Sequence, residues 1–124
     1  MCGIGLAITK NSEDHNLIAE RINNYQSYRG PDFSRIKNYY DYSICHQRLS
    51  IIDLNKRSNQ PFEYKNIEII FNGEIFNFEV LKKELIEIGH IFKTTSDTEV
   101  IAVGIYYYGK SFLKKLDGMF AICC

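Results

Sequence analysis

Two apolar runs constrain the fold of this 124-residue chain more than any other feature. Ile4-Gly5-Leu6-Ala7-Ile8 reads as a buried strand at the start of the sequence. Met119-Phe120-Ala121-Ile122-Cys123 reads as a second, with no polar residue in the run. Such a strand is expected to be covered on both faces, or to have strands on both sides. Between the two runs the pattern changes period several times. Ser12-Glu13-Asp14 fits a helix start, with a capping hydroxyl and acids in the first turn. Leu17, Ile18, Ile22 and Tyr25 then mark one face of the helix, which Arg29-Gly30-Pro31-Asp32 breaks. Strands are expected from Ser34 to Tyr39 and from Tyr42 to Gln47, with a tight turn near Tyr40-Asp41. A long loop follows, including Ile51 to Asn59, and then a strand from Glu68 to Phe71 that runs into Asn72-Gly73. Asn77 is expected to cap a second helix, Phe78 to Ile88, with Phe76 stapled onto Leu81 and Gly89 closing it. Ser96-Asp97-Thr98-Glu99 fits a capping box for a third helix, Thr98 to Tyr108, closed by Gly109.

Composition matters here for what it excludes. With 45% hydrophobic and 24% charged residues the chain is globular, one domain or part of one. Lys+Arg and Asp+Glu are both 15, so no net charge draws the chain to nucleic acid or an acidic membrane. No apolar run approaches the ~20 residues of a membrane span. The N-terminus is too short in apolar residues for a signal peptide and lacks a basic leader. Cys2, Cys45, Cys123 and Cys124 include no CxxC pair, so neither a zinc site nor a thioredoxin motif is expected. Free thiols in a reducing, cytoplasmic compartment are expected instead. The expected partner is a small molecule or a protein surface.

Four features carry chemistry. A small second residue permits removal of the initiator Met1, which leaves Cys2 with both a thiol and an α-amine. The amine is then a built-in base for the thiol and an acid for a leaving amine. The structural alternative for Cys2 is a small buried hydrophobe on the first strand. The Asn72 carboxamide and the Gly73 N–H can converge on one point as an oxyanion hole, whereas a β-turn is the commoner use of Asn-Gly. Arg48 leaves a strand into the apolar loop around Ile51-Ile52, which suits either a bidentate carboxylate contact or a structural ion pair. Asp97 suits a ligand ammonium at a pocket rim, or plain helix capping. Cys45-His46 does not form a dyad, because adjacent strand residues face opposite ways.

Met1-Cys2-Gly3-Ile4, Arg29-Gly30-Pro31-Asp32, Arg48-Leu49-Ser50-Ile51-Ile52-Asp53-Leu54, Gln60-Pro61-Phe62, Phe71-Asn72-Gly73-Glu74-Ile75-Phe76-Asn77, Ser96-Asp97-Thr98-Glu99 and Leu116-Asp117-Gly118-Met119-Phe120-Ala121 occur in this order. Together they resemble the N-terminal glutamine amidotransferase domain of B-type asparagine synthetases, over the whole chain. The resemblance implies an α+β fold, the four-layer αββα sandwich of N-terminal-nucleophile hydrolases. It implies hydrolysis of L-glutamine to glutamate and ammonia through a Cys2 thioester. It implies Asn72 and Gly73 at the oxyanion and Arg48 on the α-carboxylate. Leu49, Ser50, Ile51 and Ile52 would line the glutamine pocket, and Asp97 with Glu74 would receive the α-amino group. Phe76 stands where the family usually has tyrosine. Cys45, Cys123 and Cys124 are expected to be structural or incidental.

The resemblance also implies a synthetase domain as partner, in cis or trans, and allows a homodimer. No cofactor is implied for residues 1–124; ATP and Mg belong to the synthetase domain. In the family the glutaminase domain continues beyond Met119-Phe120-Ala121, so the chain is expected to be a C-terminally incomplete domain of low stability and little activity by itself. Three other readings stand beside it. One is a noncatalytic remnant that binds glutamine or a partner. Another is an amidotransferase serving a different amide-forming synthetase. The last is an unrelated small α/β domain with a buried Cys2.

Overall fold

Antiparallel pairing sorts the strands into two sheets. The computed structural model describes residues 1–10 and 12–124. In chain order it has β1 (Gly3–Ile8), α1 (Ser12–Tyr25), β2 (Phe33–Asn38), β3 (Tyr42–Arg48), β4 (Phe62–Tyr64), β5 (Ile67–Ile75), α2 (Phe78–Glu87), α3 (Asp97–Tyr108) and β6 (Gly118–Cys123). One sheet has the order β1-β3-β2 and the other β4-β5-β6. Helix α1 packs on β1 and β3, α3 packs on β4 and β5 with α2 beside it, and β5 meets β1 and β3 between the sheets. The layers therefore run helix, sheet, sheet, helices, the expected αββα arrangement.

The larger apolar core lies between the second sheet and its helices. Ile69, Phe71 and Ile75 project from alternate positions of β5 onto Leu85, Val100, Ile101 and Phe112. Helix α3 ends at Gly109, and α2 ends in a Schellman turn with Gly89 N–H on Ile86 O and His90 N–H on Leu85 O. At one end of the molecule Lys37 bridges Glu63 and Glu68, and the Tyr39 hydroxyl donates to Glu68, so the two sheets are clamped there.

Several expectations need correction. The face of α1 turned to the sheet mixes the polar His15 and Asn23 with Ala19 and Ile22, the last packed against Gly5 of β1, and Gln26 continues it just past the helix. His15 meets Ser43 at 2.7 Å, Asn23 donates to Ser34 at 2.8 Å and Gln26 donates to Ile4 O at 3.0 Å. Leu17, Ile18 and Tyr25, expected inside, are exposed. The sheet offers hydroxyls and a carbonyl at this contact, so hydrogen bonding selects the buried face of α1 rather than hydropathy. The Ser12 and Glu13 side chains, and with them the expected hydroxyl cap, lie outside the described residues. Asn77 does not cap α2 with its side chain; it ties the helix start to Lys115 O at 2.8 Å and Asp117 N–H at 3.0 Å. Phe76 is exposed rather than stapled. Strand β4 was not expected, and β5 extends four residues past Phe71. Among the described residues β6 pairs only with β5, and its Met119 and Phe120 are exposed rather than covered.

Candidate functional site

Away from the Lys37 clamp, the N-terminus, the end of β3 and the end of β5 frame a cavity of about 170 Å³. Cys2, Arg48, Leu49, Gly73 and Asp97 all line it, as do Ile51, Ile52 and Glu74. Cys2 is half-buried, and its Sγ meets one peptide group on each side. It accepts from Leu49 N–H at 3.4 Å and faces Leu49 O at 3.7 Å. Both protonation states of the sulfur thus find a partner, since a thiol donates and a thiolate accepts. Met1 also lines the cavity.

The Arg29-Gly30-Pro31-Asp32 segment does more than break a helix. Arg29 Nε donates to Cys2 O at 2.9 Å, Asp32 N–H donates to Arg48 O at 3.0 Å, and Ser50 N–H donates to Asp32 Oδ2 at 2.7 Å. Gly30 passes so close to β3 that a Cβ would sit 2.4 Å from Gln47 O, which excludes any side chain there. The segment therefore braces Cys2 and the chain after Arg48 at once. Ser50, tied to Asp32, is not part of the cavity wall.

Arg48 is buried, and the loop that follows β3 wraps around its guanidinium. It donates to Asn55 O at 3.0 Å, to Asn59 Oδ1 at 2.5 Å and to Asp53 O. All three acceptors are neutral, and among the described residues no carboxylate pairs with it. The Asp53 carboxylate is turned to Asn55 N–H, Thr95 N–H and Arg57 instead. Burial works against that charge, but the two backbone N–H donors outweigh it and hold Asp53 well below the usual carboxylate range. Arg48 is thus a held but unneutralised cation at a cavity wall, and of its two alternatives the structural ion pair does not form among the described residues.

Asn72-Gly73 is no turn. Both residues lie within β5, opposite Ala121 and Phe120 of β6. Gly73 has φ of 150°, and a Cβ there would lie 2.1 Å from Met119 O, so only glycine fits between these backbones. Its neighbours Phe71 and Glu74 line the cavity with it; Asn72 itself does not, and its Oδ1 is buried without a hydrogen-bond partner.

Ser96 caps α3 by accepting Thr98 N–H at 3.0 Å. The reciprocal half of the capping box is absent. Glu99 accepts from Lys93 N–H at 3.0 Å and Thr94 N–H at 2.7 Å, while Ser96 N–H goes to Thr94 Oγ at 3.1 Å. The N-cap is Ser96, and Asp97 is the first residue of the helix. It is 4% exposed and accepts Ile75 N–H at 3.4 Å. Burial pushes its carboxyl up to about 6 against the pull of the Ile75 and Thr98 N–H groups, and Glu74 adds to the rise.

The remaining cysteines stand apart. Cys45 is fully buried toward α1, where a Cβ on Gly5 would touch its Sγ, and burial pushes the thiol up to about 11. His46 faces the other way, toward β5, and burial lowers it to about 4. Burial also raises Cys123, and Cys124 is exposed. Among the described residues no three His, Cys, Asp or Glu side chains converge on a metal position, and no helix is long and apolar enough to cross a membrane. Sequence reasoning gave no role to Arg29, Asp32, Asp53 or Gln60. Each lies in a segment singled out as a motif, but only the fold shows what it touches.

The chain matches the glutamine amidotransferase domain family over residues 1–124. It is 42% identical over 126 residues to a glutamine-hydrolysing asparagine synthetase of Sandersonia aurantiaca, covering 98% of this chain and 23% of the relative. It is 41% identical to one from Oryza sativa subsp. japonica, covering 98% and 21%. The chain thus spans about a fifth of the length of these relatives. Among solved structures, glutamine phosphoribosylpyrophosphate amidotransferase from B. subtilis, complexed with ADP and GMP, superposes with a TM-score of 0.72. That match has 21% identity and covers 98% of this chain and 34% of the other. At that identity it bears on the fold alone, and the fold agrees.

Proposed function

The chain belongs to the glutamine amidotransferase domain family, and on that premise we propose that it hydrolyses L-glutamine to glutamate and ammonia at the Cys2 cavity. The observation that carries the reading is the convergence of Cys2, Gly73, Arg48 and Asp97 on one cavity. Arg48 holds the α-carboxylate, because its guanidinium is fixed by neutral oxygens and still lacks a counter-charge. Asp97 and Glu74 take the α-ammonium. Leu49, Ile51 and Ile52 cover the aliphatic part, and Ser50 holds that loop through Asp32.

With the substrate so held, Cys2 Sγ attacks the side-chain amide carbon. The thiol proton passes to the α-amine of Cys2, which is free once Met1 is removed. The Gly73 N–H stabilises the tetrahedral oxyanion at the cavity wall, joined by the Asn72 carboxamide, which has to turn toward it from the adjacent position of β5. The ammonium of Cys2 then returns its proton to the leaving nitrogen, and ammonia departs as the thioester forms. Water attacks the thioester with the amine as base, releasing glutamate and restoring the thiol. The ammonia is consumed by an ATP-dependent synthetase domain that makes asparagine, in cis or trans.

The test is ammonia release from glutamine together with mass spectrometry after exposure to a glutamine-like electrophile. The expected result is glutamine-dependent ammonia and a label on Cys2. Turnover should track the fraction of chains that lack Met1, because a peptide nitrogen cannot serve as the base. Ammonia release equal in Met1-retaining and Met1-free chains contradicts the amine's role.

Asp97 gives this reading a pH signature. A carboxyl at about 6 in the folded chain, against its ordinary 3.8, binds protons more tightly folded than unfolded. The folded state therefore loses stability as pH rises from about 4 through 6, by on the order of 3 kcal/mol at most. Asp97→Asn is expected to be more stable than wild type, with a larger gain in urea unfolding at about pH 7.5 than at about pH 5. The same variant should raise KM for glutamine, and wild-type KM should climb below about pH 6 as the ammonium partner is neutralised. A variant that loses stability at about pH 7.5 would refute the assignment.

A further inference from the structure

Among the described residues, Gln60 is the one cavity-lining carboxamide, and the mechanism above gives it no part. It is 5% exposed. Strand β4 begins at Phe62 opposite Ile69, so the same register carried back sets Gln60 opposite Phe71. Pro61 has no N–H to continue the ladder. The side chain of Gln60 takes its place: Oε1 accepts Phe71 N–H at 2.5 Å. Its Nε2 reaches the other way and donates to Thr98 Oγ at 3.3 Å. Phe71 immediately precedes Asn72-Gly73, and Thr98 immediately follows Asp97. One buried, uncharged side chain therefore spans from the strand carrying Asn72-Gly73 to the first turn of the helix carrying Asp97.

We propose that Gln60 is a positioning residue that fixes the distance between β5 at Phe71 and α3 at Thr98, and so sets the length of the amide side chain the cavity accepts. The inference rests on the glutamine reading above, in which the amide carbon meets Asn72-Gly73 and the α-ammonium meets Asp97. The separation of those two contacts is then the length of the substrate. Glutamine and asparagine differ by one methylene, which an apolar wall alone distinguishes by roughly 10–200-fold. Misplacing a reacting group by about 1 Å costs about 10²-fold, so a fixed separation matters as much as the wall. Being neutral, Gln60 does this without adding charge beside Asp97 and Glu74.

The experiment alkylates Cys2 with two chloroketones, one spaced like glutamine and one a methylene shorter, and with iodoacetamide as a length-blind control. The whole chain is alkylated and then digested, and rates are read by mass spectrometry on the peptide that carries Cys2, so label on the exposed Cys124 does not enter. Wild type should prefer the glutamine-spaced reagent by about tenfold or more. Gln60→Met cuts both ends of the strut and Thr98→Val cuts one; each should bring the preference to within about threefold, with the iodoacetamide rate unchanged. The double variant should lose no more than Gln60→Met alone, because that variant already removes the one contact that Thr98→Val removes. If Gln60→Met does not unfold cooperatively, Thr98→Val decides alone. Retention of the wild-type preference in a folded variant overturns the proposal, as does an equal fall with all three reagents. A wild-type chain with no length preference overturns the glutamine reading itself, and the strut with it.

Discussion

Cys2→Ala is expected to leave a folded chain with no ammonia release from glutamine and no label from a glutamine-like electrophile. No other single substitution should have so large an effect, because in the proposed mechanism the sulfur forms the covalent bond on which both halves of the reaction depend. The folding cost is small. The side chain is half-buried, and its sulfur contacts the Leu49 peptide, so the loss is on the order of 1 kcal/mol. Cys45→Ala is the matching control with the opposite profile. Cys45 is fully buried, and its thiol is pushed up to about 11, so it has almost no thiolate near neutral pH. Its removal should lower stability and leave labelling intact. Cys124 is exposed and will react with general alkylating agents, so the reagent has to carry the amino-acid end of glutamine. Label on Cys45, or ammonia release that survives Cys2→Ala, would remove Cys2 from the chemistry.

Asn72 and Arg48 should separate rate from binding. Asn72→Ala is expected to lower kcat by about 10²–10³, or about 2.7–4 kcal/mol, with KM nearly unchanged, because the oxyanion exists only in the transition state. Stability should hold, since the Asn72 Oδ1 is buried without a partner and its removal relieves an unsatisfied group. In the proposed mechanism Arg48 binds the carboxylate before and during the reaction alike, so its loss should raise KM. Alanine is a poor probe there. The guanidinium also gathers the Asp53 and Asn55 carbonyls and the Asn59 side chain, and truncation would release that loop. Arg48→Lys keeps the charge and loses the fork, so it should raise KM with a smaller loss of stability. Steady-state kinetics beside thermal unfolding reads all of these. Equal kcat losses at unchanged KM in both variants would erase the distinction.

The relation between Asn72-Gly73 and its surroundings shows how far local signals reach. The dipeptide allows a turn or an extended strand, and residues 71–75 do not choose between them. The choice belongs to β6, whose backbone passes so close at Met119 and Phe120 that Gly73 is required in mid-strand. Helix α1 fails in the same way. Of its four spaced apolar residues only Ile22 meets the sheet, while His15 and Asn23 are buried, because the sheet presents Ser34 and Ser43 to them. Hydropathy reports what a residue can bury, not what its neighbour offers.

Where partners are close in sequence, the reading succeeds. Ser96 caps α3 two residues away, Gly89 and Gly109 close their helices, and β2 turns into β3 at Tyr40-Asp41. These are contacts within one turn or one hairpin, governed by backbone geometry that each residue carries with it. By itself, then, the sequence determined the three helices, every strand but β4, and the local closures at Ser96, Gly89 and Gly109. The motif order that it also carries pointed to the family. Tertiary structure alone decided that Arg29 and Asp32 brace the Cys2 segment, that Arg48 stays without a carboxylate, and that Gln60 ties β5 to α3. Each of those bonds joins groups far apart in the chain or arbitrates among several acceptors, and only packing two sheets together brings one acceptor within reach and removes the rest.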